Sequence, residues 1–205
     1  SPYAYCANDP VNFVDPDGRV PRVYIQRNGL GHVFVTTHNG NNTVVYSYGR
    51  YGAVNETSGS TSGRFTPNGE GVLLRYEGQD AANFLSRVNN EGNFDIYTVN
   101  NASDEQTSKY YDDAFNNGTR PSDERKDSYN DQNARVIDQY SLFRNNCTTT
   151  SEDGINANGN NIPNKVVSPL SLDRKLRKLS LKNDQISRET NPSLFITDLI
   201  HEIKN

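Results

Sequence analysis

A chain of 205 residues with a formal net charge of −4 and 33% hydrophobic residues has room for one real core with tails, and not for three. No run approaches 18 apolar residues, so no transmembrane helix is expected. No Lys/Arg cluster interleaves with aromatics, which argues against nucleic acid as a partner. The charge is uneven: residues 1–164 carry 13 basic and 20 acidic side chains, whereas residues 165–205 carry 8 and 5. The chain starts at Ser1 without a signal-peptide pattern, as expected of a piece cut from a longer protein.

Residues 1–19 are punctuated by Pro2, Pro10, Pro16 and Gly18, which forces short extended pieces and turns. Residues 22–37 alternate apolar and polar positions, then run Val33-Phe34-Val35-Thr36-Thr37 after a break at Asn28-Gly29. The turn His38–Thr43 and the run Val44–Tyr48 complete a β-hairpin. If that turn centres on Gly40-Asn41, Phe34 lies opposite Ser47, and Ser47 shares a face with His32. A one-residue slip would put Tyr46 or Tyr48 there instead.

Residues 49–70 form a long Gly-, Ser- and Asn-rich loop, without the Lys-Ser/Thr of a phosphate cradle. A strand is expected over 72–76, a helix over 79–88 from the apolar positions 81, 84, 85 and 88, a strand over 93–99, and a helix over 104–115 with Tyr111 and Phe115 inward. The charged segment 116–133 reads as an exposed insertion. Residues 136–143 form an apolar approach to Cys147. A basic helix over 170–181 and a final amphipathic helix over 192–204 close the chain, with His201 at its surface.

Cys6 and Cys147 are the two cysteines, too few for a disulfide framework, and no C-x-x-C pair is present for zinc. By themselves they are either one structural disulfide or two buried thiols. Context singles out Cys147, in Phe143-Arg-Asn-Asn-Cys-Thr-Thr-Thr150. Two Asn before a thiol and small hydroxyl residues after it suit a helix start, where Asn caps the free N–H groups and the dipole favours a thiolate. Cys147 is thus a candidate nucleophile and His32 its candidate base, since an imidazole can take the thiol proton and return it to the leaving group. Nothing in the sequence requires a cofactor or a metal.

The N-terminal stretch resembles the end of the core of Rhs (rearrangement hot spot) proteins, matching its pattern at Pro2, Tyr5, Asn8, Pro10, Asp15, Pro16 and Gly18. That resemblance implies a C-terminal toxin domain carried in a shell of repeats, released by cleavage near Asp15 and Asp17, delivered into a target cell and matched by a cognate immunity protein. The order Gly-His32-Val-Phe-Val, then Tyr-Ser47-Tyr-Gly, then Asn-Cys147-Thr-Thr resembles the circularly permuted NlpC/P60-like branch of the papain-like superfamily. It implies an α+β fold with an antiparallel sheet packed against helices. It also implies Cys147 as nucleophile, His32 as base, and Ser47 or a neighbouring Tyr as orienter where commoner members place His, Glu, Asn or Gln. The oxyanion would be held by backbone N–H at Cys147, helped by Asn145 or Asn146.

Three segments are therefore expected: 1–19 as the end of the Rhs core, 20–182 as the papain-like toxin domain and 183–205 as a C-terminal helix. The implied substrate is a peptide or peptidoglycan-type amide, toward which the acidic, polar composition also leans. A toxin enzyme of another class, such as an ADP-ribosyltransferase, and a non-enzymatic docking module are the alternatives.

Overall fold

The hairpin that holds His32 is the centre of the sheet. In the computed structural model, which describes residues 19–40, 42–50, 68–121, 132–157, 159, 161–163, 165–182 and 185–204, β2 (His32–Asn39) and β3 (Asn42–Gly49) pair antiparallel in the register Phe34↔Ser47. On one side β2 pairs with β1 (Arg22–Gln26), which pairs with β5 (Phe94–Val99) and through it with β7 (Ile186–Arg188). On the other side β3 pairs with β4 (Asn68–Glu77), and β4 with the edge strand β6 (Ala134–Ser141). The result is a seven-stranded antiparallel sheet in the order β6-β4-β3-β2-β1-β5-β7.

Strands β2 and β3 are almost wholly buried because both of their faces are covered. Alternation sends Val33, Val35, Tyr46 and Tyr48 to one face, where they meet α2 (Asp104–Asn117), α3 (Cys147–Ile155) and α4 (Pro169–Ser180) through Tyr111, Ile155 and Leu172. Phe34 and Val45 point to the other face, against Phe84 and Leu85 of α1 (Gly78–Glu91) and Ile196 and Leu199 of α5 (Pro192–Lys204). Phe34 stacks on Tyr24 at 4.5 Å between ring centres and meets Phe84 edge-on at 5.1 Å. The fold is α+β, with one antiparallel sheet between two helical layers. No helix among the described residues is long and apolar enough to cross a membrane.

Most expected elements appear in place, with differences at three points. The stretch 136–143 is mainly β6, an edge strand whose exposed outer side chains gave it too little periodicity to read. Strand β7 has three residues, of which Ile186 alone is buried. Within the segment expected to be an exposed insertion, Thr119 bridges to Val136, while 122–131 lie outside the described residues, as do 51–67 of the Gly-rich loop.

Two glycines let the chain make close approaches. Gly31 adopts φ +80° just before His32, and a Cβ there would fall 2.9 Å from the Cβ of Pro169 at the start of α4. Gly71 lies at a bulge of β4 directly beneath the Tyr48 hydroxyl and the Asp138 carboxylate, which a side chain would displace.

Candidate functional site

Helix α3 begins where the sequence places it. Asn146 is the N-cap; its side-chain oxygen accepts from the N–H of Thr148 at 2.8 Å and of Thr149 at 3.2 Å, while the Thr149 hydroxyl accepts from the N–H of Asn146 at 2.9 Å. This reciprocal capping fixes Cys147 at the first helical position. The amide nitrogen of Asn146 donates to the carbonyls of Leu142 (2.7 Å) and Val167 (3.1 Å), tying the turn before α3 to the segment before α4.

Cys147 is a free thiol, 7% exposed, packed among Val33 and Tyr48. Burial pushes it above the ordinary thiol value, and the backbone N–H groups of Val33, Thr148 and Cys147 itself, directed at the sulfur, offset part of that rise. The Thr148 hydroxyl also lies beside the sulfur and has no other hydrogen-bond partner. The thiolate expected from the helix N-terminus is therefore not the resting form. Desolvation outweighs the dipole here, and the thiol keeps its proton.

His32 opens β2, and its Nε2 lies 2.7 Å from the Ser47 hydroxyl, so the hairpin register brings together the two side chains expected to share a face. Burial lowers the imidazole to about 4, which makes it neutral at neutral pH. The β2–β3 ladder ends at Phe34↔Ser47, and beyond that pair the Val33 N–H turns to the Cys147 sulfur. The thiol thus meets the main chain one residue from His32, from the α3 side of the sheet. His32 and Ser47 lie on the other face of these strands, the side of Phe34.

Tyr46 and Tyr48, the other candidate orienters, are engaged elsewhere. Tyr46 donates to Asp112 at 2.8 Å, and Tyr48 donates to Asp138 on β6 at 2.5 Å. Burial, then these carboxylates, push both phenols upward, which keeps them protonated. Tyr48 and Tyr140 both lie near the thiol, and ionisation of Cys147 would push each phenol further up.

Asn146 has no amide proton to spare for an oxyanion, and one of the two on Asn145 is engaged. Both amide protons of Asn146 are committed to Leu142 and Val167, and the Asn145 amide donates to the Gln139 carbonyl at 3.1 Å. The donors that face the sulfur are backbone N–H groups. Asp15 and Asp17 lie outside the described residues, as does Cys6.

Sequence reasoning missed Glu152. This carboxylate on α3, 1% exposed, accepts from the Val166 N–H with both oxygens at 3.2 Å, and desolvation raises it to about 7. Next to it Lys165 holds φ +61°, a left-handed turn that the clamp secures. Its signal was an adjacent pair of acids, Glu152-Asp153, in a helix otherwise without charge, too slight to read before Val166 was known to fold back on it. Among the described residues no group of three or more His, Cys, Asp or Glu side chains gathers as a metal site would need. No family model, curated protein or solved structure matches this chain.

Proposed function

We propose that this chain is the toxin module of an Rhs-type effector and acts as a cysteine hydrolase on an amide or ester, in the manner of the permuted papain-like enzymes. The observation that carries the reading is the approach, at the end of the β2–β3 ladder, of a thiol at the first position of α3 to the main chain of Val33, next to His32 in its part-buried pair with Ser47. The chain order His strand, orienter strand, Cys helix supports the permuted arrangement.

In the mechanism, Ser47 fixes Nε2 of His32, so Nδ1 is the nitrogen that exchanges a proton with the thiol. Both groups rest neutral, which places the proton transfer in the attack itself: His32 takes the thiol proton as sulfur bonds to the carbonyl carbon. The oxyanion forms against the backbone N–H groups at the start of α3, where one well-aimed donor is typically worth about 3 kcal/mol. His32 then returns the proton to the leaving group. Water deprotonated by the same imidazole cleaves the thioester and restores the thiol.

Expression of residues 20–205 in a bacterial host, directed separately to cytoplasm and periplasm, tests this reading. Growth arrest with Cys147 intact and none with Cys147→Ala, at equal folded level, is expected in one of the two compartments; equal arrest by both forms would remove the thiol from the mechanism.

A further inference from the structure

Two consecutive threonines open α3 behind Cys147, and their hydroxyls are used differently. The Thr149 hydroxyl belongs to the cap: it accepts from the Asn146 N–H at 2.9 Å and donates to the Asn146 carbonyl at 3.1 Å. The Thr148 hydroxyl has no such outlet. Thr148 is 0% exposed, and its Oγ1 has no hydrogen-bond partner among the described residues. A threonine deeper in a helix can turn its hydroxyl back to the carbonyl four residues earlier. For Thr148 that residue is Arg144, which precedes the helix.

Folded chains pair nearly all of their buried polar groups, so each exception calls for a reason. Valine would fill the same space without an unpaired hydroxyl, and packing alone does not account for the threonine. Its neighbour does. The hydroxyl lies beside the Cys147 sulfur, around which Val33 and Tyr48 pack. Of the other donors at that sulfur, the Thr148 N–H is shared with the Asn146 cap oxygen, 2.8 Å away. A protonated thiol is a weak acceptor and offers the hydroxyl little. A sulfur carrying negative charge is a strong one, since hydrogen bonds to charged groups are about twice as strong as neutral ones. The missing partner is a charge that exists only once the thiol has lost its proton.

We propose that Thr148 is a further catalytic residue, whose hydroxyl turns to the Cys147 sulfur and donates to it as negative charge develops there. In the attack the thiol proton passes to the base, His32 in the mechanism above, while sulfur bonds to the carbonyl carbon; Thr148 keeps its own proton throughout. Once the thioester has formed, the charge is gone and the hydroxyl is released. The bond forms again when water cleaves the thioester and sulfur leaves. The part in the attack rests on the thiol mechanism proposed above, whereas the bond to the thiolate holds for any reaction of this cysteine.

Alkylation of Cys147 by iodoacetamide, timed by peptide mapping of the whole chain at pH steps from 7 upward, tests the bond whether or not the chain is a hydrolase. Thr148→Val should move the rate profile up by about one pH unit, and Thr148→Ser, which restores a hydroxyl, should leave it in place. Thr107→Val, which removes from α2 the other buried threonine hydroxyl without a partner among the described residues, should also leave it in place. The urea midpoint of Thr148→Val should match or exceed that of the wild type, since a hydroxyl unpaired at rest contributes nothing to the fold. An unmoved profile in Thr148→Val or an equal shift in Thr148→Ser would overturn the proposal. So would a Thr148→Val chain that no longer folds, because the hydroxyl would then be structural. The acylation burst with p-nitrophenyl acetate should slow about tenfold in Thr148→Val and recover in Thr148→Ser. A shifted alkylation profile with an unchanged burst would overturn the part in the attack.

Discussion

Nε2 of His32 lies 2.7 Å from the Ser47 hydroxyl, a diagonal contact between neighbouring strands that exists because the hairpin turns at Gly40-Asn41 and at no other register. A hydroxyl in this position holds the ring without itself carrying a charge, and desolvation lowers the imidazole to about 4. In the proposed mechanism the base is then unprotonated at mildly acidic pH.

The acid limb of kcat/KM should therefore fall near pH 4 instead of near 6.5, because the base is active wherever it is unprotonated. Ser47→Ala should lower the rate about tenfold, the worth of roughly 1 kcal/mol of hydrogen bond, with KM little changed. His32→Ala should lower it by about a thousandfold. A pH–rate profile of the three forms checks all of these, and an acid limb at 6.5 would show that His32 is solvated in the working enzyme.

Cys147 should react slowly with iodoacetamide in the native protein at pH 7, more slowly than after unfolding, and its rate should climb only above the ordinary thiol range. Burial, the dominant cause of its raised value, disappears on unfolding. Peptide mapping after timed alkylation measures this separately from Cys6. Rapid native labelling at pH 7 would indicate a preformed thiolate.

Glu152 and His32 make stability depend on pH with opposite signs. The Glu152 carboxyl keeps its proton to about pH 7 in the fold and to about 4.5 in the unfolded chain. Its favourable contribution is thus complete below 4.5 and is lost as pH rises to about 7, by an amount on the order of 2 kcal/mol. His32 is lowered, so stability is lost as pH falls from 6.5 toward 4. Urea midpoints between pH 4 and 8 should show Glu152→Gln losing the first slope and His32→Gln losing the second.

Asn146→Ala removes the cap oxygen that accepts two bonds and the amide that donates two, and should cost about 3 kcal/mol in urea denaturation. Asn146→Asp keeps the acceptors and should cost about half as much. A loss in Asn146→Asp equal to that in Asn146→Ala would mean that the ties to Leu142 and Val167 dominate.

What the sequence disclosed and what it withheld divide along the range of the interactions. The β2–β3 hairpin, its register, the start of α3 at Asn146-Cys147 and the inward Tyr111 and Phe115 are local patterns, readable from turn residues and periodicity. The clamp of Glu152 on Val166 and the commitment of Tyr48 to Asp138 join positions that only the packed sheet and helices bring together. The protonation of Cys147 was misjudged for the same reason. Its helix N-terminus was visible in the sequence; its burial against Val33 was not.

The most direct measurement is the reaction of the native chain with p-nitrophenyl acetate, followed by intact mass and peptide mapping. A burst of one p-nitrophenol per chain, with a single acetyl group on Cys147 that is absent in Cys147→Ala and delayed in His32→Ala, is the result predicted by a Cys147–His32 acyl-enzyme. An unmodified Cys147, or acetylation that proceeds equally without His32, would contradict it.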